Sequence, residues 1–333
     1  MTSSVSLRVD IRRENSMPDG HREREEMEDT KGFAKITAED LYGKISQKTD
    51  LIVIDTLLKE LFEKRHLPGA QNACVFQVVF LSEVEAIVPD RDREVVLYGS
   101  SRASRDSVTA AEKLVRLGYS KVFVLTGGLA AWREAGYPLT GNDPDSADED
   151  DLFRLDDRSY TVDIEQSIIE WTGRNPNTTH YGTLRLLRGD ITVRQGKLNG
   201  TFEIDMHSLK NLNLEGSEWQ PVLIAHLKSD DFFFVEKFPA ARFTIDSARK
   251  IGESLSAPNF EVEGTLDLRG VRNDMKFFAT ISNLPGGAIA AEAHFDFDRT
   301  RWKIIYGSSS YFEHLGMHLV FDPISIRLRI IAR

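Results

Sequence analysis

The chain has 333 residues, 41% of them apolar and 28% charged, an ordinary balance for a globular protein and long enough for two domains. A net charge of -10 argues against a nucleic-acid binder, which would carry a basic patch. The single cysteine, Cys74, excludes an internal disulfide and any Cys-x-x-Cys redox or zinc site, and no apolar run reaches the ~18–20 residues that span a bilayer.

Residues 1–31 form a polar extension that ends near Arg22-Glu23-Arg24-Glu25-Glu26. It has no apolar h-region and does not read as a secretory signal, so a cytoplasmic location is expected; Met17 and Met27 are alternative starts. Residues 32–141 alternate strands and helices. The runs Leu51-Ile52-Val53-Ile54, Val95-Val96-Leu97-Tyr98 and Val122-Phe123-Val124-Leu125 suit strands buried on both faces of a parallel sheet. Thr37 is placed to cap a helix starting near Glu39, and the helical run Ala110–Leu117 stops at Gly118. Between strand 95–98 and a helix from about Asp106 lies the loop Gly99-Ser100-Ser101-Arg102-Ala103-Ser104-Arg105. Its serines Ser100, Ser101 and Ser104 have no evident base to activate them. Arg102 and Arg105, with the loop amides, are candidates for an anion-binding nest. Cys74, among apolar neighbours, reads as a small core hydrophobe, and His66 as a residue that hydrogen-bonds a turn.

Residues 142–157 are acidic and contain Pro144, the composition of a solvated linker. Over 158–333 the apolar period becomes two. Leu198, Phe202, Ile204 and Met206 alternate with polar residues, as do Phe260, Val262, Leu266 and Leu268. Ile289 to Phe297 and Ile324 to Ile330 repeat the pattern. About eight antiparallel strands with one apolar face make a sandwich or a barrel. On these residues alone a solid core and a hollow interior are equally compatible. Phe232-Phe233-Phe234 cannot put three rings on one face, so at least one lies at a rim or loop. His180, His226, His314 and His318 raise a metal-binding barrel as an alternative; the alternating context over 312–319 suggests strand, which would separate His314 from His318.

Three segments of the first half carry a family resemblance. Leu51-Ile52-Val53-Ile54-Asp55, Arg65-His66-Leu67-Pro68-Gly69-Ala70 and Leu117-Gly118-Tyr119 followed by Val122 to Trp132 resemble the motifs of rhodanese-like domains. The resemblance implies an α/β parallel-sheet domain and a nucleophilic cysteine directly after the central strand, where this chain has Gly99. It also implies a basic residue after the core-strand aspartate, where this chain has Thr56-Leu57. A thiolate is what attacks the donor and holds the sulfur, so loss of sulfurtransferase activity is expected, with docking or anion binding as the remaining role. A sulfurtransferase using an atypical nucleophile is the alternative.

In the second half, His226-Leu227-Lys228-Ser229-Asp230-Asp231-Phe232-Phe233-Phe234-Val235-Glu236-Lys237-Phe238-Pro239 resembles the signature of the YceI-like family. Ile168 to Gly173, a His180-Tyr181-Gly182 turn, the Gly264 to Val271 hairpin and Phe297-Asp298-Arg299 support it. The family resemblance implies an all-β antiparallel lipocalin-like barrel that binds an isoprenoid-type or other long-chain, fatty-acid-like lipid, of bacterial type, and a homodimer through the barrel. It implies no metal and no cofactor other than that lipid. The lining residues expected on this basis are Trp171, Phe202, Ile204, Phe233, Phe243, Phe260, Val262 and Phe295, with small residues such as Gly264, Ala291 and Ala293 leaving room. His180 and His226 are expected to fix turns or touch the ligand.

Overall fold

A computed structural model describes residues 32–146 and 153–333, which divide into two compact units between Glu149 and Asp150. The extension 1–31 and the middle of the acidic stretch lie outside the described residues.

Unit 1 contains β1 (Ala34–Ile36), α1 (Ala38–Ser46), β2 (Leu51–Asp55), α2 (Lys59–Lys64) and β3 (Gln71–Asn72). It continues with α3 (Phe80–Ile87), β4 (Glu94–Tyr98), α4 (Asp106–Leu117), β5 (Val122–Leu125) and α5 (Gly128–Glu134). The strands form one sheet in the order β1-β5-β4-β2-β3, and every pairing is parallel. Successive residues of a strand face opposite sides, so a sheet covered on both faces needs continuous apolar runs. In β4, Val95 and Leu97 join one core with Phe80, Val84 and Leu114; Val96 and Tyr98 join the other with Leu41, Leu129 and Trp132. Thr37 accepts the Asp40 amide at 3.1 Å at the start of α1, and Gly118 ends α4 at φ +96°.

Unit 2 holds β6 (Ser159–Thr161), β7 (Ile168–Arg174), β8 (Thr179–Arg194), β9 (Lys197–Asn211) and α6 (Trp219–Lys228). Then follow β10 (Ala240–Lys250), β11 (Phe260–Leu268), β12 (Val271–Asn283), β13 (Ile289–Asp298) and β14 (Pro323–Ala332). The order is β6-β8-β7-β14-β13-β12-β11-β10-β9, and β9 pairs back onto β8, so β7 to β14 close an eight-stranded antiparallel barrel. Register pairs such as Phe202↔Phe243, Val262↔Phe277 and Phe295↔Ile326 put apolar side chains inside. The outer face carries cross-strand ion pairs: Arg188 and Arg242 hold Glu203, while Arg249 and Lys276 hold Glu261. That polarity is the reverse of a barrel that faces lipid, and no described helix is long and apolar enough to cross a membrane.

Both ends of the acidic stretch are anchored. The Asn142 and Asp143 amides donate to Glu63 and Lys64 carbonyls in unit 1, and Phe153 is buried in the core of unit 2. Two segments differ from the sequence expectation. His180-Tyr181-Gly182 is not a turn but part of β8, opposite Gly173 to Trp171 on β7. Glycine is required there because a Cβ would sit 1.8 Å from the Lys210 carbonyl oxygen. Residues 312–319 are not a strand but an irregular loop with a short 3-10 turn at Gly316–His318, since His314 at φ +57° and Gly316 at φ +53° break extended backbone.

Candidate functional site

The barrel encloses a cavity of about 370 Å³, within the range of small-ligand sites. Of the residues expected to line it, Trp171, Phe202, Ile204, Phe233, Phe243, Val262 and Phe295 do so. Phe260 does not: its ring meets Phe153 edge-on at 5.6 Å between centroids and joins the packed core. The space beside Gly264 also differs from expectation. A Cβ there would lie 2.6 Å from Phe243 Cζ, so the glycine makes room for the Phe243 ring rather than for a ligand. Ala291 lines the cavity, together with Ala279 and Ala241, whereas Ala293 is in the packed core.

The Phe232-Phe233-Phe234 run folds as turns between α6 and β10. Phe232 is buried, Phe233 lines the cavity, and Phe234 takes φ +47° and packs edge-on to Phe238. Leu223, His226 and Leu227 of α6 close part of the opening, and the loop after β13 closes another part through Ile304, Tyr306 and Met317. Met317 is 83% exposed and still lines the cavity, so the cavity reaches the surface there.

Polar lining residues gather at this opening. His226 Nε2 faces Asp231 Oδ2 at 3.2 Å, and its ring packs edge-on against Phe232 and Tyr306. His318 Nδ1 lies 3.2 Å from the Tyr306 hydroxyl, and His180 Nδ1 lies 3.3 Å from Asn213 Nδ2. Arg299, 1% exposed, donates to the carbonyls of Phe321, Ile304 and Val320, and Asp322 Oδ1 lies 3.5 Å away. Burial lowers its pKa while Asp322 and Asp298 pull the other way. His314 is exposed, and among the described residues no three His, Cys, Asp or Glu side chains come together as a metal would need.

In unit 1 the loop after β4 is held from several sides. Gly99 O and Ser100 O accept the Leu129 and Ala130 amides of α5. The Ser100 amide and hydroxyl lie 3.2 and 3.4 Å from Asp106 Oδ2, and the Ser104 hydroxyl donates to Asp106 Oδ1. Asp106, which sequence reasoning passed over, is buried, and a Cβ on Gly99 would lie 2.8 Å from its Cβ. The Ser100 amide and the Ser100 and Ser104 hydroxyls are thus turned to the chain's own carboxylate. Ser101 Oγ accepts the Ala103 amide, Arg102 is exposed, and Arg105 lies 3.6 Å from Glu112. Cys74, 2% exposed, lies after β3, where the neighbouring Ala73 and Val75 amides bond Asp55 and Thr56 carbonyls. His66 Nδ1 meets the Phe62 carbonyl at 2.7 Å and its ring stacks on Phe62.

At the end of β2, Asp55 is fully buried, and its Oδ1 accepts the Leu57 amide at 2.7 Å. Burial pushes its carboxyl up to about 6, opposed by Tyr98, the Leu57 amide and His66, with Asp106 adding to the rise. Burial likewise pushes the Tyr98 hydroxyl well above its ordinary value.

Comparison with known proteins finds the YceI-like domain model over residues 160–332 and the rhodanese-like domain model over residues 37–135. An adenylyltransferase and sulfurtransferase of Candida albicans is 31% identical over 105 residues, 30% of this chain and 23% of that protein. A sulfurtransferase of Allochromatium vinosum is 26% identical over 106 residues, 32% of this chain and 92% of its own. The chain therefore spans under a quarter of the Candida protein's length and most of the Allochromatium protein's. Among solved structures, BcnA of Burkholderia cenocepacia covers 52% of this chain and 99% of its own at 15% identity and TM-score 0.41. A polyisoprenoid binding domain from Saccharophagus degradans covers 52% and 97% at 12% identity and TM-score 0.37.

Proposed function

This chain belongs to the YceI-like domain family, and from that premise we propose that it is a non-catalytic carrier whose barrel binds a long-chain lipid of isoprenoid or fatty-acid type. The observation that carries the reading is the cavity itself: about 370 Å³ of space inside a closed barrel, its deeper walls formed by residues such as Ile191, Leu198, Ile281 and Ile289. Each methylene moved from water into such walls contributes ~0.8 kcal/mol, so an eight-carbon stretch supplies about 6 kcal/mol before ordering costs.

The rhodanese-like unit is, in this reading, a docking module without sulfur transfer. Gly99 offers no nucleophile, Cys74 is buried elsewhere, and Asp106 already takes the Ser100 amide and the Ser100 and Ser104 hydroxyls.

Native mass spectrometry and solvent extraction of the purified protein test the lipid reading, with a co-purifying long-chain apolar molecule as the expected result. A barrel that carries nothing and takes up neither palmitate nor farnesol would overturn it. A thiosulfate:cyanide assay of the wild type and Cys74→Ser tests the second part. No activity is expected in either, and activity lost on substitution would restore the enzyme.

A further inference from the structure

We propose that the barrel selects lipids with an anionic head, a carboxylate or a phosphate, seated at the cavity mouth against His180 with the chain pointing inward. The inference rests on the lipid-binding reading and adds the head-group class and orientation.

The cavity is polar at one end only. Asn175 follows the end of β7, His180 opens β8, His226 ends α6, and Arg299, Tyr306 and His318 lie between β13 and β14. By the antiparallel order all these positions fall at the same end of the barrel. The opposite end, around the turns after β8 and β12, contributes aliphatic side chains such as Ile191, Ile281 and Ile289. An amphiphile in such a space has one low-energy orientation, because a buried polar head without partners is costly.

The sign of the head follows from the lining. Among the described residues no Asp or Glu lines the cavity, while a buried guanidinium, Arg299, does. Its N–H groups are shared among the Phe321, Ile304 and Val320 carbonyls and Asp322, so it offers a head group positive potential, partly offset by Asp322, and not a free donor. Arg174 also reaches this end, but its guanidinium donates to Ser325 Oγ at 2.8 Å.

A specific donor can be assigned. Asn213 Oδ1 accepts the Tyr181 amide at 3.2 Å, and a backbone amide can only donate, so Nδ2 of Asn213 is the side that faces His180 Nδ1. Nδ1 therefore accepts, and neutral His180 carries its proton on Nε2. No other described group engages that Nε2–H. The Trp171 indole N–H is already taken by the Lys210 carbonyl at 3.2 Å, which leaves His180 as the available donor of this wall. A hydrogen bond from it to an ionised oxygen is of the stronger, charge-assisted kind.

The test compares dissociation constants for two matched pairs on the full chain, palmitate against hexadecanol and farnesyl phosphate against farnesol. The anion of each pair is expected to bind roughly tenfold tighter. His180→Leu should bring the ratio to near one, and His180→Gln, which keeps a donor, should preserve most of it. NMR of the wild-type His180 ring supplies a measurement that needs no variant: the Nε2–H tautomer in the free protein, with a shift on adding palmitate and none with hexadecanol. A preference in one pair only supports the proposal and identifies the head as carboxylate or phosphate. Equal binding within both pairs, or a preference that survives in a folded His180→Leu, overturns it while leaving lipid binding in place. Failure of all four probes to bind overturns the lipid reading itself.

Discussion

The loop after β4 and the barrel cavity both have the outline of a small-molecule site, and they are built in opposite ways. In the loop, the Ser100 amide and the Ser100 and Ser104 hydroxyls meet the Asp106 carboxylate, so these donors are satisfied from within. In the barrel, apolar walls enclose about 370 Å³ that no side chain fills, and the mouth presents the His180 imidazole. A binding site is recognised by what it leaves unsatisfied. By that criterion the part with the familiar catalytic outline is closed, and the part with no reactive constellation is open.

Four measurements test this contrast, beginning with the cavity. Ala291→Phe places a ring in the space of about five methylenes, so palmitate affinity should fall by ~4 kcal/mol, roughly a thousandfold. Isothermal titration reads this, and an unchanged far-UV spectrum would attribute the loss to the filled cavity. Undiminished binding would place the ligand outside the barrel.

Arg299→Met leaves the Phe321, Ile304 and Val320 carbonyls without their shared donor. Urea unfolding of unit 2 should then shift by on the order of 3 kcal/mol. No shift would mean that the guanidinium does not hold the roof of the cavity together.

Asp55 gives unit 1 a pH dependence of known sign. Its carboxyl titrates near 6 in the fold against 3.8 as an ordinary aspartate, so between those values the folded form binds more protons than the unfolded chain. This contribution to stability is therefore greatest at low pH and is lost as pH rises from about 4 to about 6, by ~2–3 kcal/mol. Asp55→Asn should flatten that dependence in thermal melts across the window. An unchanged slope would show that the group titrates normally.

The smallest effect concerns the filled loop. Asp106→Ala should cost unit 1 ~1–2 kcal/mol through the lost hydrogen bonds. Gly99→Cys should be destabilising and inactive towards thiosulfate because its Cβ meets Asp106 at 2.8 Å. The two changes together should be less damaging than their sum by about 1 kcal/mol, which a double-mutant cycle reads. Strict additivity would remove Asp106 as the group that closes the loop.

Much of this architecture is legible in local pattern. The runs at 51–54, 95–98 and 122–125 predict doubly covered parallel strands, and the alternation at 260–268 and 289–297 predicts antiparallel strands of a sandwich or a barrel. Thr37 and Gly118 mark helix ends through bonds and dihedrals set within a few residues. Helix α6 was not anticipated: its Trp219 and Val222 are exposed while Leu223 and Leu227 face the cavity, so no clean apolar stripe announces it. Gly264 misled because a small residue signals space without saying what fills it, and Phe243 from the next strand does.

Periodicity, capping and composition fix an α/β first half, an antiparallel second half and their order, because they act over short stretches of chain; the motif resemblances add the barrel and mark Gly99 as the place of a missing cysteine. That Asp106 meets the Ser100 and Ser104 donors, that Phe260 packs on Phe153 while its neighbours line a cavity, and that the barrel is hollow are settled by tertiary contacts. Those outcomes depend on which side chains from distant strands reach the same point, and whether they fill it is a matter of packing volumes that no local pattern encodes.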